Sequence, residues 1–165
     1  MDRTDALRTF FGNLVTANAG IPPGSELAAA FASTPRELFV GPAPWKIFTP
    51  GGYIETLSDD PAFLYQDLLL ALDRERRINI GMPSAHAYWL GASNIKEAET
   101  VVQVGAGSGY YTAILAHLVG VGGRVYAYEI EERLAARARA TSPRRKADSS
   151  QARHVAVRVR DSIWL

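Results

Sequence analysis

The stretch VVQVGAGSGYYTAILA, Val101 to Ala116, changes character twice. Its β-branched start reads as a short buried strand, and Tyr110, Tyr111, Ile114, Leu115, Leu118 and Val119 fall on one face of a following helix. Between the two lie Gly105, Ala106, Gly107, Ser108 and Gly109. Glycine reaches backbone angles closed to other residues and lets a ligand approach the main chain. The helix that follows adds free N–H groups at its start. A strand, a glycine turn and a helix in this order predict a ligand seat on bare backbone.

Downstream, RVYAYEI predicts a second strand, EERLAARARA a second helix and HVAVRV a third strand. From Glu99 onward the order is β-α-β-α-β, half of a doubly wound parallel sheet. Upstream the texture is different. Leu7, Phe10, Phe11, Leu14 and Val15 recur at helical spacing, and Ser25 is placed to cap a second helix, SELAAAFAS. TPRELFV reads as a capping box, with Thr34 as cap, Pro35 in the first helical position and Glu37 reaching back. Residues 41–61, dense in proline, glycine and aromatics, read as a long loop. In INIGMPSAHAYWLGA, Pro83 is placed to open a further helix. The expected fold is therefore α/β: an incomplete Rossmann-like parallel sheet over residues 99–165, preceded by an N-terminal helical region over 1–98.

The glycine register separates two ligand classes. A dinucleotide turn follows G-x-G-x-x-G, its third glycine giving close packing beside a pyrophosphate. Here the register is G-x-G-x-G, and bulky Tyr110 stands where that third glycine belongs, against NAD or FAD. S-adenosylmethionine has no pyrophosphate, so that constraint is absent. It does need an acid at the end of the second strand for its ribose hydroxyls, and Glu129, 24 residues after Gly105, is in that position.

Composition narrows the classes further. A net charge of +1 argues against a nucleic-acid partner. The chain has no cysteine, and His86, His117 and His154 are scattered, so no metal site is expected. No stretch reaches the ~18 apolar residues of a membrane span, and the charged start MDRTDALRTFF has no secretory core. A soluble, cytoplasmic protein is expected.

The motifs also agree in order with a known family. VVQVGAGSGYYTAILA followed by GRVYAYEIEERLAARAR resembles motif I and the acidic strand of the protein-L-isoaspartate O-methyltransferase family. TPRELFVGP, Tyr65-Gln-Asp67 and INIGMPSAHA resemble that family's upstream segments. The resemblance implies a Rossmann-like S-adenosylmethionine-dependent methyltransferase fold. It implies methyl esterification of isoaspartyl carboxylates in damaged proteins, a repair reaction, with residues 1–98 on the substrate side. Ser84 matches the family's active-site serine, although Gly81-Met82-Pro83-Ser84 is shorter than the usual motif. Asp161, 32 residues after Glu129, matches an acid near the adenine, with Ser162 in place of the expected glycine.

Against that pattern, everything after the third strand is missing, and from Thr141 onward the charge turns basic. The expectation is a member truncated after the third strand, its first strand an exposed edge open to self-association. The alternative reading is a catalytically impaired binding or self-associating module.

Overall fold

Asp2 opens the first helix, its carboxylate accepting the Asp5 N–H at 2.9 Å. In the computed structural model, which describes residues 1–141 and 154–159, the chain forms two compact units, Met1–Asn94 and Ile95–Leu165.

In the first unit, α1 (Arg3–Asn18) packs on α2 (Glu26–Ala32), with Phe11 and Phe31 edge to face at 6.1 Å between ring centroids. The helices meet at Gly12, where a Cβ would lie 2.3 Å from the Ala28 carbonyl oxygen. That atom is backbone and cannot swing away. Gly12→Ala is therefore expected to cost about 1–3 kcal/mol, as overpacked cores do, read as a lower urea midpoint. Phe10, which the helical spacing places among the buried residues, is exposed instead.

The capping box does not form. Thr34 turns its hydroxyl back to the Ala30 carbonyl at 2.8 Å, and α3 is only Glu37–Val40, with no side-chain cap. Glu37 bonds to the Arg8 guanidinium and the Tyr65 hydroxyl. A charge-assisted bond to arginine outcompetes one to a single backbone N–H.

Residues 41–61 are not a plain loop either. β1 (Lys46–Thr49) and β2 (Gly52–Glu55) form an antiparallel hairpin inside them. It is closed by a Lys46–Glu55 ion pair at 2.9 Å and a Phe48–Tyr53 ring contact at 5.4 Å, cross-strand pairs of the kind that hold hairpins together. β3 (Leu70–Asp73) and β4 (Ile78–Ile80) complete a four-stranded antiparallel sheet in the order β2-β1-β3-β4. The N-terminal region is thus mixed α and β, not helical alone. α4 (Pro83–Ala92) ends the unit, with Pro83 at its first position.

The second unit carries the expected alternation: β5 (Thr100–Val104), α5 (Tyr110–Val119), β6 (Arg124–Glu129), α6 (Glu132–Thr141) and β7 (His154–Val159). The strands are parallel in the order β5-β6-β7. Val125 and Ala127 of β6 are buried, as are Ile114 and Leu115 of α5 and Leu134, Ala135 and Ala138 of α6. Thr112 donates to Gln103 at 2.6 Å and pins α5 to β5. On β5, Val102 and Val104 are exposed, and the strand pairs only with β6 among the described residues.

Candidate functional site

The turn between β5 and α5 is built from three left-handed glycines: Gly105 at φ 79°, Gly107 at φ 56° and Gly109 at φ 92°. Residues with a Cβ are strained there. The N–H groups of Gly105 and Ala106 both donate to the Tyr128 carbonyl, at 2.9 and 3.0 Å, tying the turn to the end of β6. Gly109 faces α6: a Cβ on it would lie 3.0 Å from both Cα and Cβ of Ala138. At Gly105 the space is open, and an added Cβ would meet nothing within 4 Å. Tyr110, at the place of a third dinucleotide glycine, is buried in the start of α5.

Glu129, the last residue of β6, is buried and turned to the glycines. Its Oε2 accepts the Gly107 N–H at 2.6 Å and its Oε1 the Glu131 N–H at 2.9 Å. An ionised carboxylate accepts about four hydrogen bonds, so acceptor capacity remains. The Ser108 hydroxyl is buried in the same turn and has no hydrogen-bond partner among the described residues. The Ser108 carbonyl accepts from Thr141 of α6 at 3.2 Å. Gly105, Ala106, Gly107, Ser108, Gly109 and Glu129 are therefore gathered at one end of the parallel sheet. Asp161 lies outside the described residues.

Ser84 belongs to the other unit. It is the second residue of α4, and its N–H donates to Asp67 Oδ1 at 2.9 Å. The hydroxyl of Ser84 makes no hydrogen bond among the described residues. Asp67 is held in turn by Asn18, whose amide donates to Oδ2 at 3.0 Å. Fully buried Arg36 fixes the loop that carries Asp67, donating to the carbonyls of Leu64 at 2.6 Å, Gln66 at 3.0 Å and Leu68 at 2.9 Å. Beside it, Tyr65 accepts from Arg8 Nε at 2.9 Å and donates to Glu37. Burial, together with the Glu37 carboxylate, pushes the Tyr65 hydroxyl up to about 12. Burial works against the Arg8 charge, yet the bonds to Tyr65 and Glu37 outweigh it and hold the guanidinium above its ordinary value. His86 sits over Gly81, leaving no room for a Cβ there, and burial pushes its imidazole down.

Sequence reasoning found Tyr65 and Asp67 as a motif and missed what they hold. The Arg36 and Asp67 contacts join segments 17 to 49 residues apart, for which no local pattern exists.

A parallel β-α-β-α-β unit with a glycine turn after its first strand and a buried acid ending its second defines the Rossmann-like methyltransferase class of fold. Two solved structures share that fold. One is a protein-L-isoaspartate O-methyltransferase, TM-score 0.66 and 21% identical, matched over 92% of this chain and 41% of its own. The other is a putative protein-L-isoaspartate O-methyltransferase from Plasmodium falciparum in complex with S-adenosyl-L-homocysteine, TM-score 0.64 and 16% identical, matched over 93% and 63%. Residues 16–163 match the family model described as protein-L-isoaspartate(D-aspartate) O-methyltransferase. Among curated relatives, the protein-L-isoaspartate O-methyltransferase of Ignicoccus hospitalis is 35% identical over 114 residues, 69% of this chain and 46% of the relative. That of Aeropyrum pernix is 33% identical over 121 residues, 73% and 40%. The chain belongs to the protein-L-isoaspartate O-methyltransferase family, and it spans less than half the length of these curated relatives.

Proposed function

We propose that the chain carries the methyl-donor seat and an acceptor-side serine of an S-adenosylmethionine-dependent O-methyltransferase acting on isoaspartyl residues of damaged polypeptides. The observation that carries this reading is the open backbone at Gly105, in a turn whose Gly107 N–H is held by the Glu129 carboxylate. The residues fit the donor: Gly105 offers space, Glu129 retains acceptor capacity for ribose hydroxyls, and the buried Ser108 hydroxyl is engaged by no group among the described residues. When bound, S-adenosylmethionine supplies an electrophilic methyl group on a positively charged sulfur.

The acceptor is a carboxylate, already a nucleophile, so the chain has no proton to remove. What is left for its residues is orientation and exclusion of water. Ser84 donates its uncommitted hydroxyl to one oxygen of the acceptor and so aims the other. Esterification, which would form the O–CH3 bond as the S–CH3 bond breaks and release S-adenosylhomocysteine, makes the carboxyl carbon a better electrophile; attack by the neighbouring peptide nitrogen, which loses its proton as methanol leaves, closes a succinimide and starts repair.

Incubation of the protein with labelled S-adenosylmethionine and a pair of peptides, one isoaspartyl and one aspartyl, tests the proposal. Label is expected in the isoaspartyl peptide alone. Equal labelling of both, or of neither, contradicts it.

A further inference from the structure

We infer that Asp67 is a positioning residue for Ser84. The inference rests on the reading of Ser84 as the acceptor-side serine. α4 has no side-chain cap of its own, because its cap position is Met82. The cap comes instead from Asp67, 17 residues upstream, whose Oδ1 takes the Ser84 N–H at 2.9 Å.

This contact has two consequences for an anionic acceptor. A free N–H at a helix start attracts carboxylates, and Asp67 already occupies the one on Ser84. Beside that occupied N–H stands the Ser84 hydroxyl, which no protein group engages among the described residues and which can donate to the acceptor. The same bond fixes the backbone from which that hydroxyl projects, between buried Pro83 and the Asp67 loop. Asp67 itself is steadied by Asn18 at 3.0 Å and by the three bonds from Arg36 to its loop. Asp67 moves no proton and touches no reacting atom; it acts through Ser84.

The test uses the whole chain in three variants. Asp67→Ala is expected to raise the hydrogen-exchange rate of the Ser84 amide more than about tenfold and to lower kcat on the isoaspartyl peptide about tenfold or more, as misplacement does. KM for the peptide should fall with it, because the released amide holds the acceptor carboxylate away from the hydroxyl. Asp67→Asn keeps an acceptor oxygen and should hold both kcat and exchange within about threefold of the starting protein. Asn18→Ala removes the second hold with little risk to the fold, and should give an intermediate fall in kcat. S-adenosylhomocysteine affinity, measured by calorimetry, should stay unchanged in all three.

A lower melting temperature in Asp67→Ala with kcat intact would reduce Asp67 to a helix cap and overturn the inference. Unchanged amide exchange would overturn the bond itself. If the unsubstituted protein methylates no isoaspartyl peptide although Asp67→Ala frees the Ser84 amide, the contact stands. The proposed function then fails, and the positioning role fails with it.

Discussion

Gly105→Ala is expected to weaken S-adenosylhomocysteine binding about tenfold or more while the protein stays folded. The substitution meets no atom within 4 Å, so its cost to the free protein is the left-handed backbone at φ 79° alone, about 1–2 kcal/mol. In the liganded protein the added methyl stands in the open space assigned to the donor. Gly109→Ala makes the opposite case: its Cβ would press on Ala138 at 3.0 Å, at φ 92°, and should lower stability first. Gly107→Val combines backbone strain at φ 56° with bulk beside Glu129, and should abolish binding outright. Calorimetric titration and thermal melts of the three variants separate these outcomes. Equal loss of stability in Gly105→Ala and Gly109→Ala would count against a ligand seat at Gly105.

Arg36→Met should have the largest effect on folding. The guanidinium is fully buried and donates to three loop carbonyls, at 2.6, 3.0 and 2.9 Å. A hydrogen bond from a charged donor contributes about 1.5–3 kcal/mol, and a buried acceptor left bare costs about 1–3 kcal/mol. Even at the low end of that range, three such bonds give a loss of about 4.5 kcal/mol, a large share of the about 5–15 kcal/mol that stabilises a domain. Urea unfolding followed by circular dichroism should show the transition of the first unit moved to far lower denaturant. A midpoint close to the unsubstituted value would mean that the 64–68 loop holds its shape without Arg36.

What the sequence disclosed is what short-range patterns encode. The runs of β5, α5, β6, α6 and β7 each carry their own periodicity, and the glycine turn and Glu129 lie at element ends that those patterns locate. The β1–β2 hairpin was hidden by its own composition: four-residue strands joined through Pro50 and Gly51, the second opening on Gly52, look like loop until the cross-strand pairs are seen. The Thr34 box failed for a related reason. Its spacing was right, but Glu37 found a guanidinium on a different helix, a partner that local spacing does not reveal. Arg36 and Asp67 were legible only as letters in motifs. Their roles come from contacts made after the chain has folded back on itself.

Calorimetric titration of the unsubstituted chain with S-adenosylmethionine, and with NAD in parallel, probes the glycine turn and Glu129 most directly. Saturable one-to-one binding of S-adenosylmethionine with no heat from NAD is the predicted result. Binding of NAD, or a folded sample that binds neither, would contradict the assignment of this turn to a methyl donor.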